Sequence, residues 1–215
     1  MTLMHPGDSS VNWSLFNETE DKKIVLIREG NFVEQVGYTT EQIVLFQEKD
    51  KMFLKRTQLL RSDFLGNIEA ITTLSRSTFL PIYHESFANG KSLKADYRDN
   101  SVTVISSSTI EKALEQPVFE NHSIEMVIRL LPLQLGYATT IAAFQPNKRK
   151  IIHVRVHVLA KEAVKQSGMV MVEAWKLEVD FEGQIQYYWI GLKKKELLKQ
   201  VTDISATKQM IFERE

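Results

Sequence analysis

The sequence predicts a mainly β protein of 215 residues, built on one long, curved antiparallel sheet. Three observations support this fold class. Apolar and polar residues alternate along several segments, which is the period of a half-buried strand. Polar turn sequences separate these segments at intervals of roughly 8–12 residues, as in meanders, sandwiches and barrels. Helical periodicity is confined to the middle of the chain, between residues 109 and 131.

The composition is that of an ordinary folded chain with balanced charge. Hydrophobic residues make up 43% of the sequence and charged residues 25%, as in a typical globular domain. Lys+Arg and Asp+Glu are equal at 27 each. This balance argues against nucleic acid as a partner, because such a partner favours an excess of Lys and Arg. The lack of cysteine excludes disulfides, thiolate metal sites and cysteine nucleophiles.

We assign residues 1–12 to a polar leader and residues 13–215 to a single domain. The first ten residues are polar and are interrupted by Pro6 and Gly7. They have neither the basic start nor the apolar core of a signal peptide, which fits both a cytosolic protein and an exported one whose signal has been removed. All-β domains often reach about 200–250 residues without dividing. No apolar run approaches the roughly 18 residues of a membrane span.

The first half of the chain is predicted to be a series of hairpins, because short polar turns separate its apolar segments. One such segment, Met52–Leu60, places Arg56 on the same side as Leu54. The predicted strands are Ile24–Ile27, Phe32–Tyr38, Ile43–Phe46, Met52–Leu60, Ile68–Leu74, Leu80–Phe87, Lys91–Tyr97 and Ser101–Ile105.

Two short helices are predicted to interrupt the strands. The first, Thr109–Gln116, ends at Pro117. The second, Asn121–Leu131, is capped by its first residue or by Ser123 and has apolar residues three and four positions apart. These apolar residues are Ile124, Val127, Ile128 and Leu131.

The clearest alternation occurs at Ile151–Leu159. One side consists of Ile152, Val154, Val156 and Val158, and the other side presents His153, Arg155 and His157. This pattern is typical of a sheet with one face in water. Leu197–Thr202 and Lys208–Phe212 are predicted as the last two strands.

A hairpin is predicted between Met169–Phe181 and Gln184–Leu192, with Glu182 and Gly183 as its turn. Both faces of the second strand are largely apolar, so this strand is central or is covered on both sides. Strand Ile151–Leu159, by contrast, is expected to have one face in water. This difference favours a curved sheet that is covered over only part of its surface, and not a symmetric sandwich.

Three stretches carry a resemblance to a known family, and together they cover about residues 65–215. They are Glu173–Asp180 with Tyr187–Ile190 and Glu196–Lys199, Leu131–Tyr137 with Phe144–Pro146, and Ser77–Pro81 with Gly90 and Tyr97. These stretches resemble a bacterial envelope family described only as a domain of unknown function, whose fold resembles the lipoprotein-carrier half-barrel. The chain departs from that family at Gly191–Lys195, which is basic where the family has a short acidic loop.

The resemblance implies a half-barrel sheet that wraps one or two short helices. It also implies an exported protein of the periplasm or cell envelope, and it implies no activity.

No set of residues predicts catalysis, a metal or a cofactor. His153 and His157 are four residues apart on a predicted strand, about 13 Å, which is too far for both to bind one ion. His84 and Glu85 point to alternating faces, and the sequence has no nucleophile elbow and no nucleotide-binding glycine motif. The sequence therefore predicts a protein that is not an enzyme.

Aromatic residues near the C-terminus predict a ligand site on the concave face of the sheet. The candidate residues are Trp175, Tyr187 and Trp189, together with Ile128 of the second predicted helix. The alternative is that they are ordinary core. Two functions remain open: a binding module for an apolar or lipid-like ligand, and an interaction module that docks another envelope protein through a sheet face or edge.

Overall fold

The computed structural model describes residues 2–166 and 170–215. Within these ranges the chain forms 16 strands in one sheet, one α-helix and two short 3₁₀ helices. The strands are β1 (Leu3–Met4), β2 (Thr19–Glu29), β3 (Phe32–Glu48), β4 (Lys51–Ser62), β5 (Ile68–Ser75), β6 (Pro81–Ala88), β7 (Lys91–Arg98), β8 (Ser101–Ile105), β9 (Thr109–Ala113), β10 (Phe119–Glu120), β11 (Ala138–Gln145), β12 (Lys150–Lys165), β13 (Met171–Phe181), β14 (Gln184–Gly191), β15 (Leu197–Asp203) and β16 (Lys208–Arg214). The 3₁₀ helices are Trp13–Leu15 and Asn121–Ser123, and α1 is Ile124–Leu130.

Most of the sheet follows the order of the chain. Strands β11 to β16 are sequential neighbours, β16 then pairs with β2, and β2 to β9 continue in sequence, all antiparallel. The short strands β1 and β10 pair with β11 in parallel. The strand order therefore runs from β1 to β9 and does not close into a ring.

Because the sheet is curved, side chains from strands near its two ends come into contact. Tyr97 of β7 meets Phe144 of β11 edge to face, with 6.2 Å between ring centroids. Lys112 of β9 donates to the carbonyl of Arg149 at 3.3 Å. The prediction of a mainly β, long and curved antiparallel sheet is confirmed.

The concave face of the sheet is filled by α1. Met126, Val127 and Ile128 of this helix have no exposed surface and belong to one core with Val154 and Val179 of the sheet. Burial on this scale contributes about 1.5–3 kcal/mol for each large apolar side chain. An aromatic group adjoins the core, with Trp13 lying 5.2 Å from Phe79 and 5.7 Å from Phe119 between ring centroids.

The second predicted helix is confirmed, as the 3₁₀ turn Asn121–Ser123 followed by α1. The first is wrong, because Thr109–Ala113 forms β9 and pairs with β8. Ile110 lies opposite Val104 on the core side, and the backbone N–H of Leu114 donates to the carbonyl of Asn100 at 2.7 Å. The spacing of four between Ile110 and Leu114 fits a strand as well as a helix, and the neighbouring strand decides between them.

Within the segment assigned to a polar leader, residues 2–12 are described and contribute β1 to the sheet. Met4 is buried in the main core, and the backbone N–H of Gly7 donates to the carbonyl of Thr78 at 2.8 Å. This segment packs on the domain.

Several predicted strands are parts of longer ones. Strand β3 joins two predicted segments, and β12 extends the predicted strand Ile151–Leu159 at both ends. The predicted pattern of β12, with one buried and one solvent-exposed side, is confirmed. The Ile152–Val158 side is buried, and His153, Arg155 and His157 are exposed. Met169, the predicted first residue of the next strand, lies outside the described residues.

A bulge bends β3 at Gly37. Val25 pairs with Gly37 and Leu26 with Gln35, so Val36 is an extra residue in this strand. A Cβ atom on Gly37 would lie 2.3 Å from the carbonyl oxygen of Arg61. The close approach of β4 therefore requires glycine at this position.

We expect Gly37→Ala to destabilise the protein by about 1–3 kcal/mol, because the added methyl group forces the β3 and β4 backbones apart. The free energy of unfolding in urea measures the effect. Gly30→Asn is the matched control, since Gly30 has φ +58° with no described atom within 4 Å of the added Cβ, and Asn tolerates this conformation. Equal stabilities of Gly37→Ala and the wild type would contradict the role of the bulge.

Candidate functional site

A cavity of about 420 Å³ lies on the concave side of the sheet, next to the start of α1. Its volume is within the range of small-molecule sites, which begins at roughly 300 Å³. The wall carries amide side chains, from Gln58, Asn121, Gln145, Gln184, Gln186 and Gln200. It also carries apolar and aromatic side chains, from Leu60, Ile68, Ile124, Phe181, Leu197 and Phe212. The two kinds are interspersed, because Phe181 pairs with Gln184 and Phe212 with Gln200. The cavity is thus amphipathic.

A buried ion network lies at the base of the cavity and joins α1 to the sheet. Arg56 of β4 is only 4% exposed and bonds to Glu41 of β3 and Glu125 of α1. Its Nη1 also donates to the carbonyl of His122 at 2.5 Å. Arg129 adds a second cation, with Nη1 3.4 Å from Oε1 of Glu125 and 3.8 Å from Oε1 of Glu41.

The charges of this network stabilise one another. Burial alone raises the pKa of Glu41, but Arg56, Lys23 and Arg129 outweigh it and hold that pKa below its ordinary value of 4.5. For Arg56, burial lowers the pKa, and the two neighbouring carboxylates more than reverse the effect. Glu41 and Arg56 are therefore ionised at neutral pH, and the charge of Arg56 is already paired before any ligand enters the cavity.

A second polar cluster adjoins the cavity and consists of His84 on β6, Glu120 on β10 and His122 in the 3₁₀ turn. The two imidazole rings stack with 4.3 Å between centroids. Nδ1 of His84 lies 3.0 Å from the hydroxyl of Thr72 and 3.9 Å from Oε2 of Glu120. Glu120 Oε2 accepts from the backbone N–H of His122 at 2.5 Å. His122 presents its side chain to the cavity.

Burial sets the protonation of this cluster. It raises the pKa of Glu120 to about 8, against the hydrogen bond from His122 N–H and the charge of Arg56. Burial, then the neighbouring His122, lowers the pKa of His84 to about 2. At neutral pH the imidazole of His84 is thus uncharged and Glu120 is mostly protonated.

The structure divides the four predicted ligand-binding residues between two faces of the sheet. Ile128 belongs to the main core on the concave side, and the partly buried Trp175 packs against that core. Tyr187 and Trp189 lie on the outer face, where the ammonium of Lys176 is 5.8 Å and 5.3 Å from their ring centroids. Among the described residues that line the cavity, Tyr188 is the aromatic residue that β14 supplies.

The hairpin turn explains this division. Phe181 pairs with Gln184 across the two-residue turn, so Trp175 pairs with Ile190 and Lys176 with Trp189. Residues that pair directly share a face of the sheet, whereas adjacent residues alternate. Trp175 and Trp189 must then point in opposite directions. On the outer face, the Nε1–H group of Trp189 donates a hydrogen bond to Oε2 of Glu162 at 2.8 Å.

Other residues considered in the sequence lie as their alternation predicts. His153 and His157 are exposed on the outer side of β12. Glu85 points away from His84 and accepts a hydrogen bond from Tyr83 at 2.7 Å.

Sequence reasoning missed the ion network and the His84 cluster. For the network a signal was present, because Arg56 continues the buried side of β4 after Leu54. Glu120 and His122 gave no such signal, because they follow His84 by 36 and 38 positions, with three strands between.

Comparison with protein families supports the predicted class. A family model described as "Protein of unknown function (DUF3108)" matches residues 37–211. The chain belongs to the DUF3108 family. Membership in a family of unknown function is thereby confirmed, whereas the lipoprotein-carrier likeness and the envelope location stay predictions.

A solved structure supports the DUF3108 fold seen here. The beta-barrel-like protein of the DUF1849 domain from Brucella abortus superimposes with a TM-score of 0.57 and 10% sequence identity, covering 93% of this chain and 96% of that chain. At this identity the likeness concerns the fold alone. No curated protein matches the chain. Among the described residues, no helix has the length and apolar character needed to cross a membrane.

We expect Arg56→Met to destabilise the protein by about 3–5 kcal/mol, because it leaves Glu41 and Glu125 buried without their main cation. Chemical denaturation at pH 7 measures the change. Arg61→Met is the matched control on the same strand, since its exposed pair with Glu69 contributes at most about 1 kcal/mol. Adding Glu41→Gln and Glu125→Gln to Arg56→Met should restore part of the loss. Equal costs at the two arginines would contradict this account.

Stability at acid pH should depend on Glu41. Since its folded-state pKa lies below 4.5, its stabilising contribution is complete above that pH and is lost as pH falls through the folded pKa. We expect Glu41→Gln to reduce the slope of unfolding free energy against pH below 4.5, by at most about 1.4 kcal/mol per pH unit. Urea titrations from pH 6 downward measure it, with the exposed Glu34→Gln as control. An unchanged slope in Glu41→Gln would rule out this contribution.

Proposed function

We propose that this DUF3108 protein is a non-enzymatic binding module of the bacterial envelope, and that its cavity holds one small, lipid-like amphipathic ligand. The observation that carries the proposal is the cavity of about 420 Å³ between the curved sheet and α1. The envelope location rests on the resemblance found in the sequence.

The cavity wall offers both kinds of contact that an amphipathic molecule needs. Side chains such as Ile68, Phe181 and Phe212 offer apolar contact to a hydrocarbon or ring portion. The amides of Gln186 and Gln200 offer donors and acceptors to a polar group.

The charges near the cavity limit the kind of polar group. Arg56 is paired with two carboxylates, and Lys23 is paired with Asp21. An anionic ligand would have to compete with these pairs, whereas the exposed Lys148, which also lines the cavity, offers one cation to a polar group. A neutral or zwitterionic polar group therefore fits better than a strongly charged one. We therefore propose hydroxyl, amide or zwitterionic groups on an apolar body.

A catalytic role receives no support from this arrangement of charges. The buried carboxylates of Glu41 and Glu125 are each paired with an arginine. Binding without chemistry is the simpler role for such a cavity.

A second candidate is docking of another envelope protein along β9. This strand ends the strand order, so one side of its backbone has no neighbouring strand within the described part of the sheet. Open edges of this kind accept an added strand from a partner. Docking of this kind predicts an empty cavity and a complex larger than the monomer in light scattering.

Native mass spectrometry of protein purified without detergent, followed by solvent extraction, tests ligand binding. We expect the wild type to carry a small amphipathic molecule and Ala70→Trp to carry much less of it, because Ala70 lines the cavity and an indole there occupies part of its volume. Glu69→Trp adds the same side chain on the opposite, exposed face and should leave the ligand bound. A wild-type protein that is empty and binds no added hydrophobic dye would overturn the proposal.

A further inference from the structure

We infer that His84, Glu120 and His122 form a site for a first-row transition metal ion, with zinc as the ion that the ligand types suit best. Each of the three side chains offers one ligand atom, and these atoms lie within 4.8 Å of one another. The proposal is independent of the amphipathic ligand.

The three ligands converge although they are distant in sequence. His84 comes from β6, whereas Glu120 and His122 come from β10 and the turn that follows it, beside β6. At tetrahedral angles, metal–ligand distances of about 2.0–2.2 Å place the ligand atoms roughly 3.3–3.6 Å apart. The cluster, whose ligand atoms lie within 4.8 Å of one another, therefore has to contract by up to about 1.5 Å around an ion. His122, in a short turn and facing the cavity, is the ligand with room to move.

Two buried atoms of the cluster lack a hydrogen-bond partner among the described residues. They are Nε2 of His84 and Oε1 of Glu120, and both side chains are fully buried. A buried polar atom without a partner costs about 1–3 kcal/mol, so such atoms are rare in folded proteins. Two such atoms in one cluster of metal-ligating side chains indicate that a bound ion supplies the partner that the described residues lack.

The surroundings of His84 match the support that a metal-bound histidine needs. Ligating imidazoles usually donate their second ring N–H to an oxygen, which fixes the tautomer. The hydroxyl of Thr72 lies 3.0 Å from Nδ1 of His84. If Nδ1–H donates to this hydroxyl, Nε2 keeps its lone pair free.

The charge of the cluster also favours a cation. Metal ligands must be unprotonated, so binding of an ion displaces any proton that the ligands carry. Glu120 then supplies one negative charge once its proton is displaced. The neighbouring cation, Arg56, is already held by Glu41 and Glu125. A divalent ion is thus the partner that a buried Glu120 carboxylate lacks.

The ligand types select the class of ion. Two imidazoles and one carboxylate suit zinc and related transition ions, whereas calcium and magnesium prefer oxygen ligands only. Three protein ligands leave a fourth position open in a tetrahedral site. His122 borders the cavity, so this open position is reachable from it.

Calorimetric titration of the chelator-treated protein with Zn²⁺ tests the site. We expect one ion per chain in the wild type and at least about a tenfold weaker affinity in His122→Ala and in Glu120→Gln. His153→Ala is the matched control, because His153 is exposed on the outer side of β12. Co²⁺ gives a second readout, since visible absorption typical of a tetrahedral site should appear in the wild type and be lost in His122→Ala.

The outcomes separate a built site from adventitious binding. Absence of binding in the wild type, or an affinity that His122→Ala leaves unchanged, overturns the proposal. An equal loss in His153→Ala also overturns it. Should Glu120→Gln fail to fold, His122→Ala decides, because its side chain is not part of the packed core. Absence of zinc binding would not change the outcome of the ligand-binding test with Ala70→Trp.

Discussion

The guanidinium of Arg56 ties three parts of the chain together on the concave side of the sheet. It bonds to Glu41 on the neighbouring strand, to Glu125 on α1 and to the carbonyl of His122 in the turn before that helix. With seven residues, α1 is too short to be stable by itself. Its place inside the curved sheet therefore depends on tertiary contacts, of which the apolar ones supply most of the stability and the ionic ones fix the position.

The cavity is a consequence of where this network holds α1. The start of the helix forms one wall, and strands from both halves of the sheet form the others. Because the apolar side of α1 is fully buried in the core, the space that remains lies beside its polar first turn. The same turn brings His122 next to His84 and Glu120, so the ion network, the cavity and the histidine cluster all depend on one placement.

Local patterns determined most of the strands and one helix. Alternation at Ile152–Val158 identified the buried side of β12, and periodicity from Ile124 to Leu131 identified α1. The pattern failed at Thr109–Gln116, where apolar residues four positions apart fit either structure. A strand forms there because its backbone pairs with β8. The sequence of the segment alone does not indicate this partner.

The predicted ligand-binding residues also show which features follow from the local sequence and which follow from the tertiary structure. The sequence by itself determined that Trp175 and Trp189 lie on one hairpin, and the two-residue turn at Glu182 and Gly183 even fixed that they point to opposite faces. Only the tertiary structure decided which face is concave, because both faces of β14 are apolar enough to be covered. It alone also brought His84 to Glu120 and paired Arg56 with Glu125, since such contacts depend on how far the sheet curls and on where the helix packs inside it.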